Sequence, residues 1–232
     1  MRCLVFNGWA AGPETWALCT FGHDWLFSYV EQMDGLPEQV MADSDEVVLV
    51  GFSMGSQTAL RMLLKWPEKV KGMVLISATP CMMEVKHRET EAQRGKTSCT
   101  GEWKGMSERR LAALRLGTLQ AFRDDPSPMY DPANMDRGLA WLKETDLRAD
   151  LLRAAGRETE DGRRGLTLPV AILQSEKDGI VRPNNAEFLK QVFPQAKVTW
   201  VPGNEHVLPV TVPELIDAAV FDVSSVAENR EG

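Results

Sequence analysis

Apolar residues along this chain alternate between two patterns. Short unbroken runs, "RCLVFNG", "DEVVLVGFS", "VKGMVLISATP", "LPVAILQSEKD" and "AKVTWVPG", have the length and β-branched content of buried strands. Between them lie segments with apolar residues at helical spacing. In "MGSQTALRMLLKWP" these are Ala59, Met62, Leu63 and Trp66, and Pro67 stops the helix. "PNNAEFLKQVF" and "VPELIDAAVFDV" read as helices too, "GPETWALC" and "LPEQVMA" as short ones, and "WLFSYVEQ" as strand-like. Strands alternating with helices predict an α/β fold, a mostly parallel sheet flanked by helices and joined by right-handed crossovers.

The alternation breaks after Pro80. From there to about Gly165 no convincing strand occurs. "SERRLAALRLGTLQAF" reads as a helix with Ser107 as N-cap, and "MDRGLAWLKETDL" and "LRADLLRAAG" as further helical pieces. The expected organisation is a core of residues 1–79 and 166–232 with a helical cap inserted over 80–165. The tail after Val223 reads as polar and frayed.

A chain of 232 residues suits one α/β domain with an inserted subdomain and needs no disulfide or metal staple. Its net charge of −7 argues against general nucleic-acid binding, which requires a basic footprint. Cys3, Cys19, Cys81 and Cys99 lack C-x-x-C spacing, so free thiols are expected rather than a zinc site. The opening "MRCLVFNGWA" turns polar too quickly for a signal peptide, and no apolar run approaches a membrane span. The expectation is a cytoplasmic protein without membrane contact. The oligomeric state is left open, a monomer being favoured.

Candidate chemistry starts at Gly51-Phe52-Ser53-Met54-Gly55, a G-x-S-x-G pattern. A serine at a helix start can be an N-cap and nothing more. A strong strand in front and a helix behind are, however, the setting of a nucleophile elbow. A serine hydroxyl needs a base. Of the three histidines, His23 in an early loop and His87 in a charged part of the insert read as surface residues. His206, in "VPGNEHVLP" after the last strand, can reach a crevice at the strand ends. Asp178 in "ILQSEKDGIV" is placed to orient the imidazole. Glu176 competes, but the shorter carboxylate beside Gly179 suits a tight turn better. The order Ser53, Asp178, His206 is the one associated with this kind of fold. The backbone N–H of Met54 and that of Trp9, in the loop after the first strand, are the candidate oxyanion donors, each worth roughly 3 kcal/mol to a transition state. Trp9 can serve as a packing aromatic at the same time.

With these residues in place, the chain resembles the α/β-hydrolase superfamily over nearly its whole length. It is similar in particular to the pimeloyl-ACP methyl ester carboxylesterases of biotin synthesis. "LVFNGWAAGPETW" resembles that family's strand–loop–helix opening, "LVGFSMGS" its elbow, "KDGIVRP" and "GNEH" its acid and base loops, and "LAALRLGTLQ" and "GLAWLKETDLR" its helical cap. Asn7 stands where the family usually has histidine, and the N-terminus is shortened, starting at the strand before the oxyanion loop. The resemblance implies hydrolysis of the methyl ester of pimeloyl-ACP to pimeloyl-ACP and methanol, without cofactor or metal, with an acyl carrier protein received by basic cap residues.

Charge bears on the carrier from a separate direction. Pro80 to Arg123 holds nine basic residues (Lys86, Arg88, Arg94, Lys96, Lys104, Arg109, Arg110, Arg115, Arg123) and five acidic ones, a net +4 that leaves −11 for the rest. A basic lid on an acidic body suits an acidic partner, although a solvated helix face would look the same. Arg109, Arg110, Arg115 and Arg123 are the docking candidates, and they cannot all share one helix face. Leu111, Leu114, Leu119 and Phe122 follow helical spacing. They are expected to pack the insert onto the core, with a subset lining an acyl channel. A general short-chain esterase, a thioesterase and a non-catalytic binding protein of the same fold remain the alternatives.

Overall fold

A computed structural model of the chain describes residues 1–84, 103–156 and 165–229. His87, Cys99, Lys86, Arg88, Arg94 and Lys96 of the sequence reading lie outside the described residues. Among the described residues, six parallel strands form one sheet: β1 (Arg2–Phe6), β2 (Trp25–Phe27), β3 (Val47–Phe52), β4 (Val70–Ile76), β5 (Val170–Ser175) and β6 (Lys197–Val201). Their order is β2-β1-β3-β4-β5-β6. Every residue of β3 and of β5 is buried, Gln174 and Ser175 at the end of β5 included, because both faces of the parallel sheet are covered.

Period-two alternation sorts the strand residues onto two faces. Leu4, Phe6, Leu49, Met73, Leu75 and Ile172 join one core cluster. Covering that face are α3 (Met54–Lys65), through Ala59, Leu60 and Leu63, and α7 (Asn184–Val192), through Phe188 and Leu189. Val5, Val48, Val50, Val74, Ile76 and Leu173 face the other way, against α9 (Pro213–Glu228), whose Ile216, Val220, Val223 and Ala227 form one helical stripe. The short α8 (Leu208–Thr211) precedes α9.

Three parts of the sequence reading need correction. "GPETWALC" forms a single 3₁₀ turn at Pro13–Trp16. "WLFSYVEQ" is no single strand. Ser28 accepts from the Glu31 N–H while the Glu31 carboxylate accepts from the Ser28 N–H. This capping box ends β2 and opens α1 (Tyr29–Met33), which is followed by α2 (Leu36–Ala42). The tail does not fray at Val223, because Ala227 is buried on the sheet and carries α9 to Glu228.

Between β4 and β5 the described residues form α4 (Glu108–Ala121), α5 (Pro132–Glu144) and α6 (Arg148–Ala155). Ser107 caps α4, its hydroxyl accepting from the Arg110 N–H. Leu111, Leu139 and Leu142 of α4 and α5 meet Tyr29, Met54, Met82, Met106 and Val181 in a third apolar cluster. Met54 and Val181 belong to loops and helix starts at the carboxyl ends of β3 and β5, so this helical layer sits over the end of the sheet where α/β folds place their sites. Among the described residues no helix is long and apolar enough to cross a membrane.

Candidate active site

Ser53 links β3 to α3 in a backbone conformation, φ 50° and ψ −116°, that an L residue rarely adopts. The turn is tight enough that its flanking glycines have no room for a side chain. A Cβ on Gly51 would lie 2.7 Å from Ser56 Cα, and one on Gly55 only 2.1 Å from the Phe6 carbonyl oxygen. The turn is closed by the Ser53 N–H donating to the Ile76 carbonyl (3.0 Å) and by the Ser56 hydroxyl, which donates to the Ser53 carbonyl and accepts from the Thr79 N–H.

Parallel topology brings the loops after β3, β5 and β6 together. The Ser53 hydroxyl lies 3.0 Å from His206 Nε2, and His206 Nδ1 lies 2.7 Å from Asp178 Oδ2. Asp178 is 2% exposed, and its other oxygen accepts from the Ile180 and Val181 N–H groups at 2.8 and 3.0 Å. Both carboxylate oxygens are therefore committed, which fixes the plane in which the imidazole is met. Glu176, the competing carboxylate, is exposed, and His23 is exposed in its loop.

Two serines that the sequence reading passed over hold the histidine loop. The Ser77 hydroxyl at the end of β4 donates to the His206 carbonyl (2.8 Å), and the Ser175 hydroxyl at the end of β5 donates to the Glu205 carbonyl. Both are fully buried. Their only signal in the sequence is a hydroxyl at the carboxyl end of an apolar strand, too common to single out.

Met54 is the first residue of α3, so its N–H has no intrahelical acceptor and points with the positive end of the helix dipole toward the site. Trp9 follows β1 in the neighbouring loop. Its indole donates to the Met135 carbonyl of α5 (3.0 Å), and its ring packs against Gly138, tying this loop to the helical layer.

The four arginines are not equivalent. Arg115 forms a two-pronged pair with Asp136, and Arg123 pairs with Asp124 at 3.3 Å. Arg110 donates to the carbonyl of Gly179, the residue after Asp178. Arg109 is exposed and has no acidic partner among the described residues. The four apolar candidates divide as well. Leu111 and Leu114 join the cluster containing Met54, whereas Leu119 and Phe122, towards the far end of α4, lie outside it, with Phe122 stacked on Tyr130 at 3.8 Å.

The sheet order, the serine turn and the loops that meet it define a protein of the α/β-hydrolase fold. Residues 26–99 match the family model for the alpha/beta hydrolase fold. The chain is 26% identical over 251 residues to a pimeloyl-[acyl-carrier protein] methyl ester esterase of Edwardsiella ictaluri, covering 94% of this chain and 91% of that one. A protein of the same name from Yersinia enterocolitica is 26% identical over 191 residues, covering 76% and 69%. Among solved structures, an esterase from Exiguobacterium antarcticum superposes with a TM-score of 0.64 at 16% identity, over 98% of this chain and 92% of that one. A bromoperoxidase from Bacillus anthracis gives 0.62 at 18%, over 97% and 90%. At these identities the structural likeness concerns the fold alone.

Proposed function

We propose that the chain is a serine carboxylesterase that hydrolyses the methyl ester of pimeloyl-ACP. The observation that carries the reading is the continuous hydrogen-bonded path from Asp178 through His206 to the strained Ser53. The names of its relatives, at modest identity, support the choice of ester.

In this mechanism His206 Nε2 takes the Ser53 proton as the oxygen attacks the ester carbonyl. Asp178 holds the proton on Nδ1 and stabilises the imidazolium. The tetrahedral oxyanion is received by the N–H groups of Met54 and Trp9. His206 then protonates the departing methoxide to methanol. Water, deprotonated by the same imidazole, attacks the acyl-enzyme and releases pimeloyl-ACP. No step requires a metal or a redox cofactor.

The reading is tested by complementing a biotin-requiring strain that lacks its own pimeloyl-ester esterase. The native chain should restore growth and Ser53→Ala should not. Growth with neither, alongside turnover of p-nitrophenyl acetate by the purified native chain, would leave a general esterase in its place. Arg109 is the cleanest probe of carrier docking, since Arg110 contacts the loop that bears Asp178. Arg109→Glu is expected to lower kcat/KM for an ACP-linked methyl ester by about 5-fold at low salt, with the loss shrinking as salt rises, and to spare p-nitrophenyl acetate. Equal losses on both substrates would remove the docking role.

A further inference from the structure

The two proposed oxyanion donors stand on separate elements, Trp9 on the loop after β1 and Met54 at the start of α3. Their separation must be held to a few tenths of an ångström for both to reach one oxygen. One buried side chain spans these elements. Gln32 of α1 is 1% exposed, and its amide nitrogen donates to the Asn7 carbonyl (2.9 Å) and the Phe27 carbonyl (3.2 Å). Its amide oxygen accepts from the hydroxyl of Thr58 on α3 (2.7 Å), a residue 1% exposed. Two carbonyls on one end of the amide fix which end carries the nitrogen. Every hydrogen-bonding position that matters for orientation is thus filled, and the side chain has one available pose.

The connected groups are those whose spacing matters. Asn7 lies two residues before Trp9, and Thr58 lies one helical turn after Met54 on the same rigid helix. The Asn7 side chain is held in turn, its oxygen accepting from the Trp16 indole at 2.6 Å. The backbones are also in contact, because a Cβ on Gly55 would lie 2.7 Å from the Asn7 carbonyl oxygen. We infer that Gln32, braced by Thr58, is a positioning residue that sets the distance between the Trp9 and Met54 N–H donors. The inference rests on the assignment of those two groups as the oxyanion site.

Thr58→Val keeps shape and removes the hydroxyl; Gln32→Met keeps length and removes the amide. Each is expected to lower kcat for p-nitrophenyl acetate by about 10- to 100-fold with KM within about 2-fold, because the contact being loosened acts in the transition state. Inhibition by a trifluoromethyl ketone, whose hemiketal oxyanion needs both donors, should weaken by the same factor. The pH profile of kcat/KM should keep its midpoint, since His206 is untouched. Thr58→Ser should recover most of the rate lost in Thr58→Val, and the double variant should be no slower than Gln32→Met alone.

A wild-type kcat in folded Thr58→Val, a loss confined to KM, or undiminished ketone inhibition would overturn the inference. If Gln32→Met does not fold, the Thr58 pair decides. Ser53→Ala run alongside separates the two levels. An active Ser53→Ala overturns the nucleophile and this inference together, whereas an inactive one beside a fully active Thr58→Val overturns the bracing role alone.

Discussion

Ser53→Ala is expected to lower kcat/KM for p-nitrophenyl acetate by about 10⁴-fold or more while the protein remains folded. Removal of a nucleophile in a hydrogen-bonded triad costs on this order, because the partners no longer act on anything. The fold should be spared, since the Ser53 side chain is half-buried and, among the described residues, its one hydrogen bond is to His206. The backbone at φ 50° remains strained in the alanine variant. Ser53→Gly, equally inactive, is expected to gain about 1 kcal/mol over Ser53→Ala, because glycine tolerates that region freely. Stopped assays with the purified variants, and denaturant melts compared at constant slope, would check both parts. A Ser53→Ala variant with more than about one hundredth of native activity would defeat the nucleophile assignment, given the expected loss.

Gly55→Ala should be the most damaging glycine-to-alanine change among the described residues. The added carbon would stand 2.1 Å from the Phe6 carbonyl oxygen and 2.5 Å from its carbon, and these atoms belong to the buried strand β1. A flexible side chain could swing away; a strand paired on both sides cannot. The expected cost is about 3 kcal/mol or more, the upper range for overpacking. The only relief is to push α3 off β1, which would also part Met54 from Trp9. Whatever folds should therefore turn over about 10²-fold more slowly. Gly117, in the interior of α4, has nothing within 4 Å of its Cβ position. There the same substitution should stabilise the protein by about 0.8 kcal/mol through helix propensity alone. Opposite signs for one chemical change would show that space, not glycine as such, is what Gly55 supplies. Equal melting midpoints for the two variants would refute the argument.

How legible the molecule was in its sequence depended on whether the deciding interaction was local. β3 and β5 were plain because burial on both faces favours an apolar run, and short length, β-branched content and flanking turn residues mark such a run as a strand. The end of α9 was misread because Ala227 is small and stands among Ser224, Ser225, Glu228 and Asn229, yet it packs on the sheet. The strand-to-helix switch at Ser28 was also missed, although the capping pair Ser28 and Glu31 has the spacing that signals it.

The site divides along the same line. Ser53 was readable because the elbow's steric demands lie within five residues, and Asp178 and His206 because turn chemistry and strand ends are visible locally. The chain by itself thus determined the element order, the buried strands and a short list of groups able to do acyl chemistry. Only the tertiary structure decided that Ser53 and His206, 153 residues apart, lie 3.0 Å from one another. It alone decided that Ser77 and Ser175 hold the histidine loop, that Arg115 and Arg123 are engaged by aspartates, and that Gln32 joins the loop after β1 to α3. The reason is physical. Hydrophobic periodicity records how much of each side chain leaves water, a property of one residue and its element, whereas a buried hydrogen bond depends on the mutual placement of two distant elements and leaves no periodic trace in either.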